Sequence, residues 1–413
     1  MSLFESASLV VTPNGTKASK LYAIKPTDGS GDLSVVRATT ATRVNSSGLI
    51  ESVSSNVPRL DYTNGTCPSI LVEPQRTNLT LQSENLGTTW YTAGGALTLN
   101  ATTAPDGNTT ADKIKADTST GVHVYQQTLT VSNATVYTMS VYVKAAEYTY
   151  FELADTSSLK GQTFNLTAKT ISAPQTAGVG TATSSKITDV GNGWLRCSIT
   201  YTTSSTTVLF RISLSNGTST TFTGDNTSGL FAWGAQLEAG SNATSYIPTV
   251  ASSVTRNADV ISKTGISDLI GQTEGTLLID YIFKTPPFDI CGPVGLSSDA
   301  GNNRILFWNN YTFNTIAINI RANGSNLFNT YVGNQVDGTR YKLAVSYKSG
   351  DIKVYLNGVL TNTFTNTFTF TTPLNILYNA AYESTSNVHQ RTNNISLWKT
   401  ALTSTELATL TTI

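Results

Sequence analysis

Short runs of alternating apolar and polar residues, each closed by Gly, Asn or Ser, recur along most of this chain and limit the folds it can adopt. In residues 137–144, for example, Tyr, Met, Val and Val alternate with Thr, Ser, Tyr and Lys. Successive side chains of a β-strand point to opposite faces, so this period of two predicts a strand with one buried face. Between residues 76 and 250 such runs follow one another at about the 8–12-residue spacing typical of a β-sandwich. The pattern predicts an all-β protein.

Composition agrees with this fold and excludes two classes of partner. Charged residues make up 13% of the chain, against about 25% in ordinary globular proteins, and 26 basic residues balance 26 acidic ones. A nucleic-acid-binding face needs clustered positive charge, which a neutral chain with scattered Lys and Arg does not offer. No stretch approaches the roughly 18 consecutive apolar residues of a membrane-spanning helix. We therefore expect neither nucleic acid binding nor membrane insertion.

Differences in periodicity along the chain predict four segments. Residues 1–75 have little period and no long apolar block, so they predict an irregular segment that folds against a neighbour or a partner. Residues 76–250 predict one β-sandwich, and residues 270–413 predict another. The polar residues 251–269 between them predict a linker. The expected architecture is two β-sandwiches in tandem behind an irregular N-terminal segment.

Two local signals in the last segment are specific. Asn357-Gly358 lies between two apolar runs and predicts a tight β-hairpin. Residues 404–410 predict a helix, with Thr403 as its N-cap and Glu406 as the second member of a capping box. This is the one helix that the sequence predicts.

The cysteines and the N-terminus bear on the compartment. Cys67, Cys197 and Cys291 are far apart and odd in number, so they predict reduced thiols, at least two of them buried, rather than a disulfide framework or a metal cluster. The first residues contain neither the basic region nor the apolar region of a secretory signal. We expect a chain that is not exported by the ordinary route.

Two sets of passages resemble modules of bacteriophage virion proteins. The first is similar to the leader of many tail-fibre and head-fibre proteins and consists of RATTATRVN (37–45), GLIE (48–51), VPRLDY (57–62) and LVEPQRTNL (71–79). The second resembles the closing strand and exit of a jelly-roll, carbohydrate-binding-module-like domain of phage appendages and consists of WGAQLEAG (233–240), TSYIPT (244–249) and TRNAD (255–259).

A third set resembles a concanavalin A-like or laminin G-like sandwich, and it specifies fold more than function. It consists of YKLAVSY (341–347), KVYLNG (353–358) and ISLWKTALT (395–403). Together the resemblances imply a head fibre or tail fibre on the exterior of the virion, which works as a homotrimer. Residues 1–75 would then attach it to capsid or tail proteins, and the sandwiches would meet host or environmental glycans.

No motif with a catalytic context is present, so we expect a protein that is not an enzyme. A triad would have to use His123 or His389, and both are expected to be structural or surface residues. Two alternatives stay open. One is a virion-associated polysaccharide-degrading enzyme, since a pair of carboxylates need only meet in space. The other is a bacterial surface adhesin or glycan-binding module.

Glycans are held by aromatic faces flanked by amide and carboxylate groups, and two aromatic clusters in polar surroundings fit this description. The other three tryptophans lie in apolar strand patterns and are expected in the core: Trp194, Trp233 and Trp398. The candidate glycan-binding residues are Trp90, Tyr91, Trp308, Asn309, Asn310 and Tyr311.

No cofactor is predicted, and calcium is left as an alternative. Asp289 and the nearby Asp299 and Asn302 offer hard oxygen ligands. Their spacing matches no known calcium loop, which favours solvated turn residues.

Overall fold

The computed structural model describes residues 2–17, 19–63, 65–284, 291–310, 315–379 and 388–413. The chain forms two compact units, each built from separate stretches of sequence. The first sandwich consists of Val44–Ser52 and Arg76–Arg256, and the second consists of Met1–Arg43, Val53–Gln75 and Asn257–Ile413.

Strands make up most of the described residues, which confirms the all-β class. The early strands are β1 (Leu9–Lys17), β2 (Lys20–Lys25), β3 (Leu33–Val36), β4 (Ala41–Val44), β5 (Ile50–Val53), β6 (Arg59–Asp61) and β7 (Ser69–Val72). The next are β8 (Arg76–Asn78), β9 (Tyr91–Ala93), β10 (Gly95–Thr102), β11 (Ala111–Ala116), β12 (Thr120–Val122), β13 (Val124–Thr130), β14 (Val136–Ala145), β15 (Tyr150–Asp155), β16 (Lys160–Asn165), β17 (Thr170–Ser172), β18 (Gly180–Thr181), β19 (Ser184–Asp189), β20 (Leu195–Thr202), β21 (Thr207–Ser215), β22 (Thr221–Thr223), β23 (Gly229–Ala239) and β24 (Val254–Arg256).

The remaining strands belong to the second sandwich. They are β25 (Val260–Thr264), β26 (Glu274–Phe283), β27 (Cys291–Ser297), β28 (Arg304–Asn310), β29 (Thr315–Ala322), β30 (Ser325–Asn334), β31 (Arg340–Lys348), β32 (Asp351–Leu356), β33 (Val359–Phe364), β34 (Ile376–Asn379) and β35 (Gln390–Trp398). The helical elements are α1 (Leu3–Ser6), α2 (Ser404–Thr411) and a 3-10 turn at Ser267–Leu269. No helix in the described ranges is long and apolar enough to cross a membrane.

The first sandwich packs two large antiparallel sheets around one core. One sheet has the order β10-β11-β23-β14-β20-β19, and the other has the order β17-β16-β15-β21-β13-β9, with β18 beside β16. Met139 and Val141 of β14 lie in the same core as Phe151 and Leu153 of β15. The period of two therefore places its apolar face in the core, as the sequence predicted.

The second sandwich is made of one continuous sheet, whose order is β30-β29-β28-β27-β34-β25-β3-β2-β1-β35-β26-β31-β32-β33, with β6 and β7 attached through β35. Both halves of this sheet contribute to one apolar core, which contains Phe307 and Ile318 from one half and Leu343 and Val354 from the other. The rings of Phe328 and Phe364, from the two edge strands, stack at 3.8 Å. One sheet thus supplies both layers.

The domain boundaries differ from those predicted. Residues 1–75 are not a separate irregular segment, because β1, β2, β3 and β7 are members of the second sandwich's sheet. Leu9 and Val11 of β1 are fully buried, and Leu9 pairs with Leu397 at the other end of the chain. The segment folds against a neighbouring part of the chain, as its polarity led us to expect.

The predicted linker, residues 251–269, is also structured. It contains β24, which pairs with β8 in the first sandwich, and β25, which lies between β3 and β34 in the second. These strands have three and five residues. Runs this short carry too little periodicity to be recognised as strands from the sequence.

Both specific local signals are confirmed. Asn357 and Gly358 connect β32 to β33 and have φ values of 50° and 85°, the left-handed conformation that a tight hairpin turn requires. The Thr403 side chain accepts a hydrogen bond from the Glu406 backbone, and the Glu406 side chain accepts one from the Thr403 backbone, which completes the capping box of α2.

A buried ionic network, formed by Arg37, Arg59, Glu73 and Asp259, joins four parts of the second sandwich. Arg37 Nη1 lies 2.9 Å from Asp259 Oδ1, and Arg59 Nη1 lies 2.7 Å from Glu73 Oε2. Arg59 also pairs with the second oxygen of Asp259. Burial alone would lower the pKa of the Arg59 guanidinium, but the charges of Asp259 and Glu73 raise it above its ordinary value. The two positive charges balance the two negative charges.

Replacing Arg59 by Met tests the importance of this network. We expect the free energy of unfolding of the second sandwich to fall by about 3–5 kcal/mol, because Glu73 and Asp259 lose a buried counter-charge. The change is measured by urea denaturation of the full chain, in which the unfolding transition of this sandwich is monitored.

The matched control is Lys348→Met, which removes an exposed pair with Glu274. This control should cost about 1 kcal/mol or less. Equal effects of the two substitutions would contradict a structural role for the network.

Candidate functional site

An open groove crosses the outer face of β28, β29 and β30 in the second sandwich. Ile305 and Phe307 of β28 face the core, so Trp308 lies on the opposite face. Trp308 pairs with Ala317 on β29, and Ala317 pairs with Tyr331 on β30. A small residue therefore lies between two aromatic residues in one row across three strands.

Two asparagines of β30 hold the aromatic side chains. Trp308 Nε1 donates a hydrogen bond to Asn329 Oδ1 at 2.8 Å, and the Tyr331 hydroxyl donates one to Asn334 Oδ1 at 2.7 Å. Among the residues that the structure describes, the amide nitrogens of both asparagines have no protein partner. These nitrogens remain available as hydrogen-bond donors at the groove.

The groove is suited to a small, uncharged ligand. Its volume is about 550 Å³, within the range of about 300–1,000 Å³ that is usual for ligand pockets. Neighbouring strands lie about 4.8 Å apart, so the backbones of Trp308 and Tyr331 are separated by roughly 10 Å above the floor at Ala317. Threonine, alanine, asparagine and the two aromatic residues line it, and no charged side chain of the described chain does so.

The four consecutive candidates, residues 308–311, do not lie together at the groove as the sequence predicted. Asn309 is 2% exposed and lies on the opposite face of β28 from Trp308, because neighbouring residues of a strand alternate. Asn310 is the last residue of β28, and Tyr311 lies outside the described residues. The amides beside Trp308 come instead from Asn329 and Asn334 of β30.

These amides and Tyr331 were missed at the sequence level. The signal that could have found them is the pair Asn329 and Tyr331, two positions apart on one strand and therefore on one face. Tyr331 is 48% exposed. Which strand lies beside Trp308, however, is decided by sheet register and not by local sequence.

The other aromatic candidates are Trp90, which precedes β9, and Tyr91, which is its first residue. Trp90 is 7% exposed, belongs to the core of the first sandwich and packs edge-on against Phe210 at 5.5 Å. It does not have the exposed face that we expected of a binding residue. Tyr91 is 61% exposed. The expectation that Trp194, Trp233 and Trp398 are core residues is confirmed, since all three are buried.

The calcium alternative named Asp289, Asp299 and Asn302, and the second and third of these lie within the described ranges. Asp289 lies outside the described residues, and Asp299 accepts a hydrogen bond from Asn375 at 2.9 Å. Within the described ranges, no group of three or more His, Cys, Asp or Glu side chains could hold a metal ion. Of the thiols, Cys197 is buried, which raises its pKa, and Cys67 is exposed.

Both histidines are buried, and the groups that they contact suit structural roles. Each ring nitrogen of His123 contacts a backbone carbonyl, that of Gly94 or that of Phe222. His389 Nε2 lies 3.4 Å from Glu73 Oε1. Burial lowers the pKa of His389 to about 3, although the Glu73 charge raises it in part.

The lowered pKa of His389 predicts a loss of stability in acid. Between its ordinary pKa of 6.5 and about 3, the unfolded chain binds a proton at this residue that the folded chain does not bind. Stability therefore decreases as the pH falls through this window, by up to about 1.4 kcal/mol per pH unit. We expect His389→Gln to flatten this slope in urea denaturation series at pH 6, 5 and 4.

His123→Gln, in the first sandwich, is the control and should leave the slope of the second sandwich unchanged. A slope that is the same in the wild-type chain and in His389→Gln would exclude His389 as its source.

Comparison with known proteins assigns no family. No family model and no curated protein matches the chain. Among solved structures, the Ruminococcus gnavus IT-sialidase CBM40 bound to alpha2,6 sialyllactose is 15% identical, with 36% of this chain and 91% of that chain covered and a TM-score of 0.31. Trypanosoma rangeli sialidase in complex with 2,3-difluorosialic acid is 13% identical, with 37% and 25% covered and a TM-score of 0.31. The SAP-like pentraxin of Limulus polyphemus is 14% identical, with 33% and 69% covered and a TM-score of 0.27. Likeness at this level assigns no ligand to this chain.

Proposed function

We propose that this protein binds neutral surface glycans through the groove of Trp308 and Tyr331. The observation that carries the proposal is the row of Trp308, Ala317 and Tyr331, with both aromatic side chains fixed by asparagines. A pyranose ring has an apolar C–H face and a rim of hydroxyl groups. The aromatic side chains complement the first, and the amides complement the second.

The absence of charged side chains along the described groove favours a neutral sugar over an anionic one. A shallow site with few polar contacts binds a single sugar weakly. Several linked sites raise the apparent affinity, because each later contact forms at high effective concentration. Binding of this type suits a protein that adheres to polysaccharide.

The setting that we propose is a bacteriophage virion, with the chain as a head fibre or tail fibre on the exterior of the particle and as a homotrimer. Support comes from the sequence passages that resemble phage fibre leaders and appendage domains. Residues such as Arg37 and Arg59 of the leader passage are buried. Attachment to capsid or tail proteins would therefore use exposed residues of the N-terminal region, such as Phe4.

We also propose that the chain is not an enzyme. His123 and His389 are buried and contact backbone or carboxylate oxygens, an arrangement that suits structural roles better than general-base roles. Release of soluble oligosaccharides from capsular or cell-wall polysaccharide would contradict this part of the proposal.

Removing the indole tests the groove directly. We expect Trp308→Ala to weaken binding to the neutral glycan preferred on an oligosaccharide array by about tenfold or more, which corresponds to about 1.4 kcal/mol. Tyr331→Ala should act in the same direction. Because Trp308 is only partly buried, the melting temperature should change little. Isothermal titration and calorimetric melting measure the two effects.

Val359→Ala is the control, since it removes an exposed apolar side chain of β33 that does not line the groove. Trp308→Phe retains an aromatic ring and should keep part of the affinity. If Trp308→Ala unfolds the chain, glycan binding by Trp308→Phe tests the groove instead. Unchanged glycan binding by a folded Trp308→Phe, Tyr331→Ala double variant would overturn the proposal.

A further inference from the structure

The outer face of the β17-β16-β15-β21-β13-β9 sheet of the first sandwich has its own row of polar and aromatic residues. Tyr91 on β9 pairs with Gln126 on β13, and Gln126 pairs with Arg211 on β21. The next residue in the row is Ala154 on β15. Each residue of the row is next in sequence to a core residue, as Gln126 is to Tyr125. Because neighbouring residues of a strand point to opposite faces, the row lies on the face away from the core.

Arg211 is the centre of this row and is only partly satisfied. Its Nε donates a hydrogen bond to Gln126 Oε1 at 3.1 Å. The two terminal amino groups have no hydrogen-bond partner in the part of the chain that the structure describes. A guanidinium presents five N–H donors in a rigid plane, so four remain unused on a side chain that is already half-buried. Such a group is held ready for an acceptor.

Behind Arg211 lies a buried carboxylate that is also incompletely bonded. Glu152 on β15 is 0% exposed, and it pairs with Ser213 on β21, two residues beyond Arg211 on the same face. Glu152 Oε2 accepts three hydrogen bonds, from the backbone N–H groups of Gln175 and Thr176 and, at 3.4 Å, from Thr163 Oγ1. Its other oxygen and the Ser213 hydroxyl have no partner within the described ranges.

Unpartnered buried polar atoms are unusual and cost about 1–3 kcal/mol each. Two of them belong to register partners, Glu152 and Ser213, on the same face as an arginine with unused donors. The negative charge of Glu152 balances the positive charge of Arg211, so an anion gains little here from net charge.

We propose that Tyr91, Gln126, Arg211 and Glu152 form a second ligand site, which binds a neutral sugar through two vicinal hydroxyl groups. The two terminal amino groups of Arg211 donate in parallel to the two hydroxyl oxygens, because the planar guanidinium presents its donors as a fork. The exposed ring of Tyr91 packs against the C–H face of the same sugar. Gln126 holds the guanidinium through its hydrogen bond to Nε, and the negative charge of Glu152 offsets the charge of Arg211.

This site is independent of the groove of Trp308, so its test begins from a chain in which that groove is disabled. The full-length Trp308→Ala variant is applied to an array of neutral and anionic oligosaccharides, and the glycans that it retains are titrated against further variants. In this background we expect Arg211→Met and Tyr91→Ala each to weaken the retained neutral-glycan binding by about tenfold or more. Lys169→Met, an exposed residue of the same sandwich, is the control and should change nothing.

Arg211→Lys distinguishes loss of binding from loss of folding, because it keeps the positive charge and removes only the planar pair of donors. It should lose most of the binding while the melting temperature is retained. Glu152→Gln leaves the Arg211 charge uncompensated and should shift the preference toward anionic glycans.

Three results would overturn this inference. The Trp308→Ala chain could bind no glycan at all, or it could bind anionic glycans only. It could also bind a neutral glycan just as well after Arg211→Met is added. All three results are read in a folded Trp308→Ala chain, or in a folded Trp308→Phe, Tyr331→Ala chain if the first unfolds, so they test this site and not the groove. Failure of the groove itself would appear as unchanged binding when Trp308 and Tyr331 are replaced.

Discussion

The second sandwich depends on the buried network of Arg37, Arg59, Glu73 and Asp259. Each of these ions loses several kcal/mol of hydration on burial, which is recovered only when all partners meet in good geometry. Arg37 and Asp259 are 222 positions apart, so the network closes only when the N-terminal strands and the later part of the chain share one sheet. We regard it as a device that specifies this arrangement more than one that adds stability.

The same network explains what the phage-like passages encode. Its four residues lie in the passages RATTATRVN, VPRLDY, LVEPQRTNL and TRNAD. In the first sandwich, Glu238 of WGAQLEAG accepts hydrogen bonds from the Thr244 backbone at 2.8 Å and from the Thr244 hydroxyl at 2.7 Å. These residues of the passages therefore make buried polar contacts of the fold. Function has to be argued from the exposed faces.

The sequence predicted what depends on neighbours along the chain and not what depends on distant pairing. The strand at Tyr137, the turn at Asn357 and the cap at Thr403 each follow from a few adjacent residues. The pairing of Leu9 with Leu397 leaves no local signal, because either residue would suit any buried strand position. Residues 1–75 therefore read as irregular until their partner strands are known.

The same distinction governs the candidate sites. Trp308 and Tyr91 are found from the sequence as aromatic residues in polar surroundings, but their adjacent candidates, Asn309 and Trp90, are buried. In a sheet, residues next to each other in sequence point to opposite faces, whereas residues of one row come from different strands. Candidate ligand sites on sheet faces are therefore rows, such as Trp308–Ala317–Tyr331, and their composition is decided by register. A search of β-rich chains for binding sites should accordingly compare alternate positions on paired strands and not runs of consecutive residues.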